Sequence, residues 1–205
     1  MLEGELREKQ QTIVEILSRL DVHDEEIETR VKSEEYQSLL KKAFCEWAGT
    51  ESEKKRVFIR NILTNAASAR LTSDDMVRLF VDWIGKYSEL HFEVIGAIYN
   101  SNGITRAEVW HEIGKGDVAD DSAEADLFKT LFHDLSTGHI IRQYRETTYD
   151  GRQIKKSTRG RSKNASPYMT SAFEDEKEYV LTALGEQFVH YAMTDLPPKI
   201  DCQAA

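Results

Sequence analysis

His111 and Glu112 open like the helix of a zinc protease, in which two histidines four apart hold the metal and the intervening glutamate serves as base. The second histidine belongs at position 115, which is Lys115, so that chemistry is excluded. His133 and His139 lie six apart with no cysteine partner, a spacing that fits surface or packing roles better than a metal pair. Serine, histidine and aspartate are all present, but no nucleophile elbow is. Gly114 and Gly116 lack both the Lys-Ser/Thr pair and the preceding strand of a phosphate loop. Cys45 and Cys202 have no metal-ligand neighbours and are too few for a secreted disulfide framework. These residues predict no catalytic site, no metal and no cofactor: the protein is expected not to be an enzyme. Trp47, Trp83 and Trp110 sit on apolar stripes and read as core rather than as a platform for stacking bases.

Charge is the stronger signal. The 205-residue chain carries a net charge of −9, yet Arg142 to Lys163 hold eight Lys or Arg against Glu146 and Asp150. An acidic balance repels bulk DNA and anionic membrane, so any nucleic-acid contact must come from a local patch. Arg142, Arg145, Arg152, Lys155, Lys156, Arg159, Arg161 and Lys163 are therefore the candidates for phosphate-backbone contact, a largely sequence-blind mode of binding. Two other readings of this segment stay open. It is a solvated loop, or it docks on an acidic surface of a partner protein or of a second copy of the chain.

The elements that must position these residues are mostly helices. With 40% hydrophobic residues and only three prolines, the composition reads as a mainly α protein with a real core. Leu6, Ile13, Leu20 and Ile27 recur every seven residues, a short heptad pattern that suits a dimer-forming helix or a helix packed on its own domain. Tyr36, Leu39, Leu40, Ala43, Phe44 and Trp47 form a broad stripe ended by Gly49. Thr50 with Glu53 has capping-box spacing for a helix to about Ala69, whose outer face carries Lys54, Lys55, Arg56 and Arg60 as a solvated surface. Thr72 to Asp75 cap the next helix, with Met76, Val77, Phe80, Trp83, Ile84 and Tyr87 inward. A further helix starts near Ser88.

After the turn at Asn100 to Gly103, Thr105 and Glu108 form a capping box for a short helix, and Asp121 with Glu124 opens another, with Leu127, Phe128, Leu131 and Leu135 as its stripe and Gly138 as its stop. A strand begins at Ile140–Ile141, Glu178 to Leu181 return it, and Thr182 caps a last helix. The stretches GITRAEVW, DLSTGHIIRQ and YVLTALGEQFV, in this order of elements, resemble the winged-helix branch of helix-turn-helix regulators of the MarR and PadR type. The resemblance covers residues 88 to 194 and implies three helices, a two-stranded β-wing at 142–176 and a closing helix. In front, IRNILTNAASARL and SELHFEVIGAIY look similar to abortive-infection alpha proteins, which implies a place in bacterial phage defence.

The chain departs from the winged-helix pattern twice. Asp117, Asp120, Asp121, Glu124, Asp126 and Asp134 stand against Lys129 alone, so the third helix is expected to repel DNA rather than read its major groove. Residues 148–176 are also far longer than an ordinary hairpin loop and polar, and are expected to be mobile. The expected layout is a helical region over 1–87, the winged-helix region over 88–194 and a flexible tail over 195–205. Partners are expected to be nucleic acid, or a protein partner or homodimer meeting the heptad residues, with no membrane and a cytoplasmic location. The N-terminus is charged where a signal peptide is apolar, and no apolar run nears the roughly 18 residues of a membrane span.

Overall fold

The structure, a computed structural model, describes residues 2–19, 24–68, 72–116, 118–144, 171–173 and 176–193. It is mainly helical with one small antiparallel sheet. In order come α1 (Leu2–Arg19), α2 (Glu25–Lys32), α3 (Glu34–Gly49), α4 (Glu53–Ser68), α5 (Asp74–Lys86), α6 (Glu89–Tyr99), β1 (Ile104–Thr105), α7 (Arg106–Glu112), α8 (Ala123–Thr137), β2 (Ile141–Gln143), β3 (Glu178–Leu181) and α9 (Ala183–Phe188), which runs into a π-helical turn, Val189–Met193. Two compact units form, one of Met1–Glu89 with Gln187–Ala205 and one of Leu90–Glu186. No helix among the described residues is long and apolar enough to cross a membrane.

In the first unit the expected stripe of α3 buries Tyr36, Leu39, Ala43 and Trp47, and α5 buries Val77, Phe80, Trp83 and Ile84. Ser33 and Ser73 cap these helices by accepting from the amides of Tyr36 and Met76. Phe80 and Trp83 meet the ring of Phe188 at 5.6 and 5.4 Å, so the end of the chain expected to close the second region belongs with the first from Gln187 on. The physical reason lies on α4. Asn61 and Asn65, one turn apart and buried, donate their side-chain amides to the carbonyls of Ala192 and Tyr191, each at 3.0 Å. The last carbonyls of a helix have no helical partners, and a buried carbonyl needs one.

Three local expectations change here. The heptad pattern does not run through one helix, because α1 ends at Arg19 and α2 begins only after Asp24, an extended N-cap that accepts from the Glu26 amide. Within α1, Thr12 and Ile16 are buried while Ile13 is 37% exposed, and Glu15 pairs with Arg60 of α4. This helix is thus laid on its own unit. Arg56 and Arg60 are correspondingly no solvated face: Arg56 donates to the Thr50 carbonyl at 3.1 Å, and the Arg60 side chain is only 16% exposed. The cap of α4 is Ser52, not Thr50, since its hydroxyl accepts from Lys55 N at 3.2 Å.

Tyr36 offers a direct test of this core. Its hydroxyl donates to the Leu63 carbonyl at 3.0 Å, and burial pushes the phenol up, opposed by the nearby Arg30. A raised phenol keeps its proton in the folded chain after the unfolded chain has lost it, so its stabilisation is complete below the ordinary value near 10 and declines as pH rises beyond it. Tyr36→Phe is expected to lower stability at neutral pH by about 1 kcal/mol. It should also flatten the alkaline decline, which urea unfolding on either side of the ordinary phenol value measures.

The second unit is built round the sheet, in the order β1-β3-β2. Ile104 and Thr105 pair with Tyr179 and Glu178, and Ile141, Arg142 and Gln143 pair with Leu181, Val180 and Tyr179. The expected pairing of the two later strands is present, and β1 is an addition that two residues could not announce in sequence. The Thr105–Glu108 capping box opens α7. Ser122, not Asp121, caps α8, accepting from Ala125 N at 3.1 Å. Leu127 is 49% exposed rather than inward; Ala125 and Phe132 complete the buried face with Phe128, Leu131 and Leu135. The expected mobile insertion is anchored at its far end: Ala172 is fully buried, and Asp120 accepts from the Ser171 hydroxyl and the Ala172 amide at 2.7 and 3.2 Å.

Candidate nucleic-acid interface

A groove of about 790 Å³ opens in the second unit between α8, the start of α7 and the sheet. Lys129, His133 and Ser136 lie along one face of α8, at the three- and four-residue spacing that brings helix side chains into line. Arg106 comes from the first position of α7, and Arg142 and Gln143 from β2. His139 completes the wall. None of the described lining residues is Asp or Glu.

The local folding explains how these side chains come to share one surface. At the end of α8, Gly138 keeps a helical φ of −72°, and the left-handed position falls on His139, with φ 57°. Ile140 N then reaches Leu135 O at 3.0 Å and His139 N reaches Ser136 O at 3.1 Å, the paired closing bonds of a Schellman turn. The turn sends the chain into β2, whose Ile140–Ile141 base is buried. Thr182 locks it from the other side, its hydroxyl donating to the His139 carbonyl at 2.6 Å.

Arg106 is set most firmly. Its guanidinium carbon lies 5.4 Å from the ring centroids of both Phe132 and Tyr179, which are 0% and 3% exposed, and its Nε is buried with no hydrogen-bond partner among the described residues. Gln143 donates its side-chain amide to the Tyr179 hydroxyl at 3.3 Å, fixing one of those rings.

Three of the acids expected along the third helix are engaged by neighbours. Asp134 stands 3.7 Å from His91 of α6, Asp120 is engaged with Ser171 and Ala172, and Asp126 meets Lys129 at 3.4 Å. The α8 side chains that line the groove are not acidic, but its Lys129 is the one paired with Asp126.

Of the predicted contact residues, Arg142 lines this groove, exposed on β2. Arg145, Arg152, Lys155, Lys156, Arg159, Arg161 and Lys163 lie outside the described residues. Among the predicted partner residues, Ile13 is exposed and Ile27 half-buried, while Leu20 and the side chain of Leu6 lie outside the described set. Sequence reasoning missed Arg106, Lys129, His133 and His139 as a group. Counting charge by helix face instead of by segment would have found Lys129 and His133; nothing in the sequence announces the ring pair that holds Arg106. No three His, Cys, Asp or Glu side chains among the described residues gather as a metal site. Compared with family models, curated proteins and solved structures, the chain matches none of them.

Proposed function

We propose that this protein is a non-enzymatic, winged-helix-like accessory or regulatory factor that contacts nucleic-acid phosphates with little regard to sequence. The observation that carries this reading is the cationic groove free of carboxylates in its described lining, with Arg142 standing where the chain enters a segment of eight Lys or Arg against two acids. The order helix, strand, helix, helix, strand, strand from Glu89 to Leu181 supports the winged-helix part, since such domains present a helix and a wing on one side. Replacing Arg152, Lys155, Lys156, Arg159, Arg161 and Lys163 together by Gln is the test. Wild-type binding to duplex DNA should fall with salt at a log–log slope of about −4 to −5, as for four to six contacted phosphates, and the variant should show a clearly shallower slope. Unchanged affinity and slope would remove the wing from this proposal.

A second reading, an assembly subunit of a phage-defence system, draws on the exposed Ile13 and Val14 of α1, the latter 64% accessible. Solution mass of Ile13→Lys/Val14→Lys decides it: an oligomer that becomes monomeric favours assembly, and a monomer in both forms opposes self-association.

A further inference from the structure

We infer that the groove is a phosphate-binding site in its own right, anchored on Arg106 and distinct from the wing. It rests on the proposed nucleic-acid contact and deepens it, and because its test changes groove residues while the earlier test changes only the wing, the two fail separately.

Arg106 has the properties of a receptor rather than of a structural ion pair. It rests against the rings of Phe132 and Tyr179 and has no carboxylate partner among the described residues, unlike Arg60, whose Nε is likewise buried but which pairs with Glu15. A guanidinium held against two rings has already lost part of the freedom that binding would otherwise take from it, and its terminal nitrogens, which make no hydrogen bond or ion pair with the described residues, can donate to an anion. In a chain with 36 acidic residues against 27 basic ones, carboxylates are plentiful, yet none of the described ones pairs with Arg106 or lines this groove.

His139 adds a second, independent sign. It occupies a left-handed position that glycine fills with least strain, although a glycine stands one residue earlier. Such strain is retained where the side chain does something, and the His139 imidazole is exposed at the groove. With His133 and the Asp126-paired Lys129 on α8 and Arg142 on β2, donors approach from several elements. A phosphate, with oxygens pointing in several directions, can meet such a set; a planar carboxylate meets one fork.

Binding of labelled short oligothymidylate, with a 5′-phosphate or a 5′-hydroxyl end, is to be measured with inorganic phosphate as competitor. Arg106→Gln should weaken binding about 10- to 100-fold, as expected for loss of a charge-assisted hydrogen-bonding group. Arg142→Gln, at an exposed strand position, should weaken it about tenfold without altering the melting temperature. His139→Gly should raise the melting temperature and still weaken binding, a pairing a purely structural residue does not give. The six-Gln wing variant should keep its competition by phosphate. Tighter binding of the phosphorylated strand assigns the site to a terminal phosphate, and equal binding assigns it to the backbone. Failure of inorganic phosphate to compete, or wild-type affinity in both Arg142→Gln and His139→Gly, overturns the inference even if Arg106→Gln does not fold.

Discussion

Phe128→Ala is expected to lower the stability of the Leu90–Glu186 unit by about 3–5 kcal/mol, the range for emptying a large aromatic site that cannot collapse. Phe128 is fully buried and touches three rings: Trp110 at 4.8 Å, Phe132 at 4.9 Å and Phe173 at 5.6 Å, the last nearly parallel at 18°. These neighbours are held from outside the cluster, Trp110 by donating its indole N–H to the Gly116 carbonyl at 2.8 Å and Phe173 by the Asp120 contacts of the preceding residues. They cannot close over the vacancy, so both the transfer and the cavity contributions are lost. Urea unfolding combined with amide exchange in this unit measures the effect. A loss below about 1 kcal/mol would mean that the cluster is loosely packed. A double-mutant cycle with Phe173→Ala should give a coupling of about 0.5–1.5 kcal/mol, because the stacked pair contributes beyond its buried area.

That cluster shows where sequence reading reaches its limit. Periodicity found Phe128, Leu131 and Leu135 because a helix repeats its inward face every three to four residues, and it placed Leu127 with them because adjacent apolar residues look alike in a one-dimensional pattern. The Thr105–Glu108 cap was legible for a chemical reason, as both partners lie within one turn. The β2–β3 pairing was legible from its β-branched residues, but β1 was not, since two residues carry no alternation. Phe173, Asn61 and Asn65 act across 45, 131 and 126 residues respectively, and no local rule links them to Phe128, Ala192 and Tyr191. The heptad misled for the opposite reason. Its spacing is local and real, but a cap at Asp24 breaks the helix on which the seam would have to continue.

The same distinction governs the groove. A charge total is a property of a segment, whereas a ligand meets a face, and on α8 the two differ. Asp134 turns to His91 of α6, whereas the groove side presents His133 and Lys129, the latter paired with Asp126. An acidic net charge is therefore compatible with a local patch of basic side chains, because the total says nothing about how charge is placed.

Gly185→Ala sets two known effects against each other and lets their magnitudes decide. Inside a helix, Ala is favoured over Gly by about 1 kcal/mol, so propensity alone predicts a more stable protein. The site forbids it. A methyl at Gly185 would overlap the Ile140 carbonyl oxygen and lie 3.1 Å from the carbonyl carbon and 3.3 Å from Cγ2. That carbonyl has no room to retreat, because it accepts from the Thr182 amide at 2.9 Å while Ile140 N is bound to Leu135 O. The Thr182 hydroxyl in turn holds the His139 carbonyl and accepts from Gly185 N at 3.0 Å, so α9, the turn and β2 must shift together. Overpacking against backbone should exceed the propensity gain and leave a net loss of about 2–3 kcal/mol. Gly49→Ala is the control: nothing lies within 4 Å of its added methyl, and it should be neutral or stabilising. Because Ile140 follows His139, the shift should also move the imidazole and weaken phosphate binding, with Arg106 untouched. Urea midpoints of the two glycine variants and phosphate competition on Gly185→Ala read all of this, and a Gly185→Ala protein as stable as Gly49→Ala would show that the turn is not held as described.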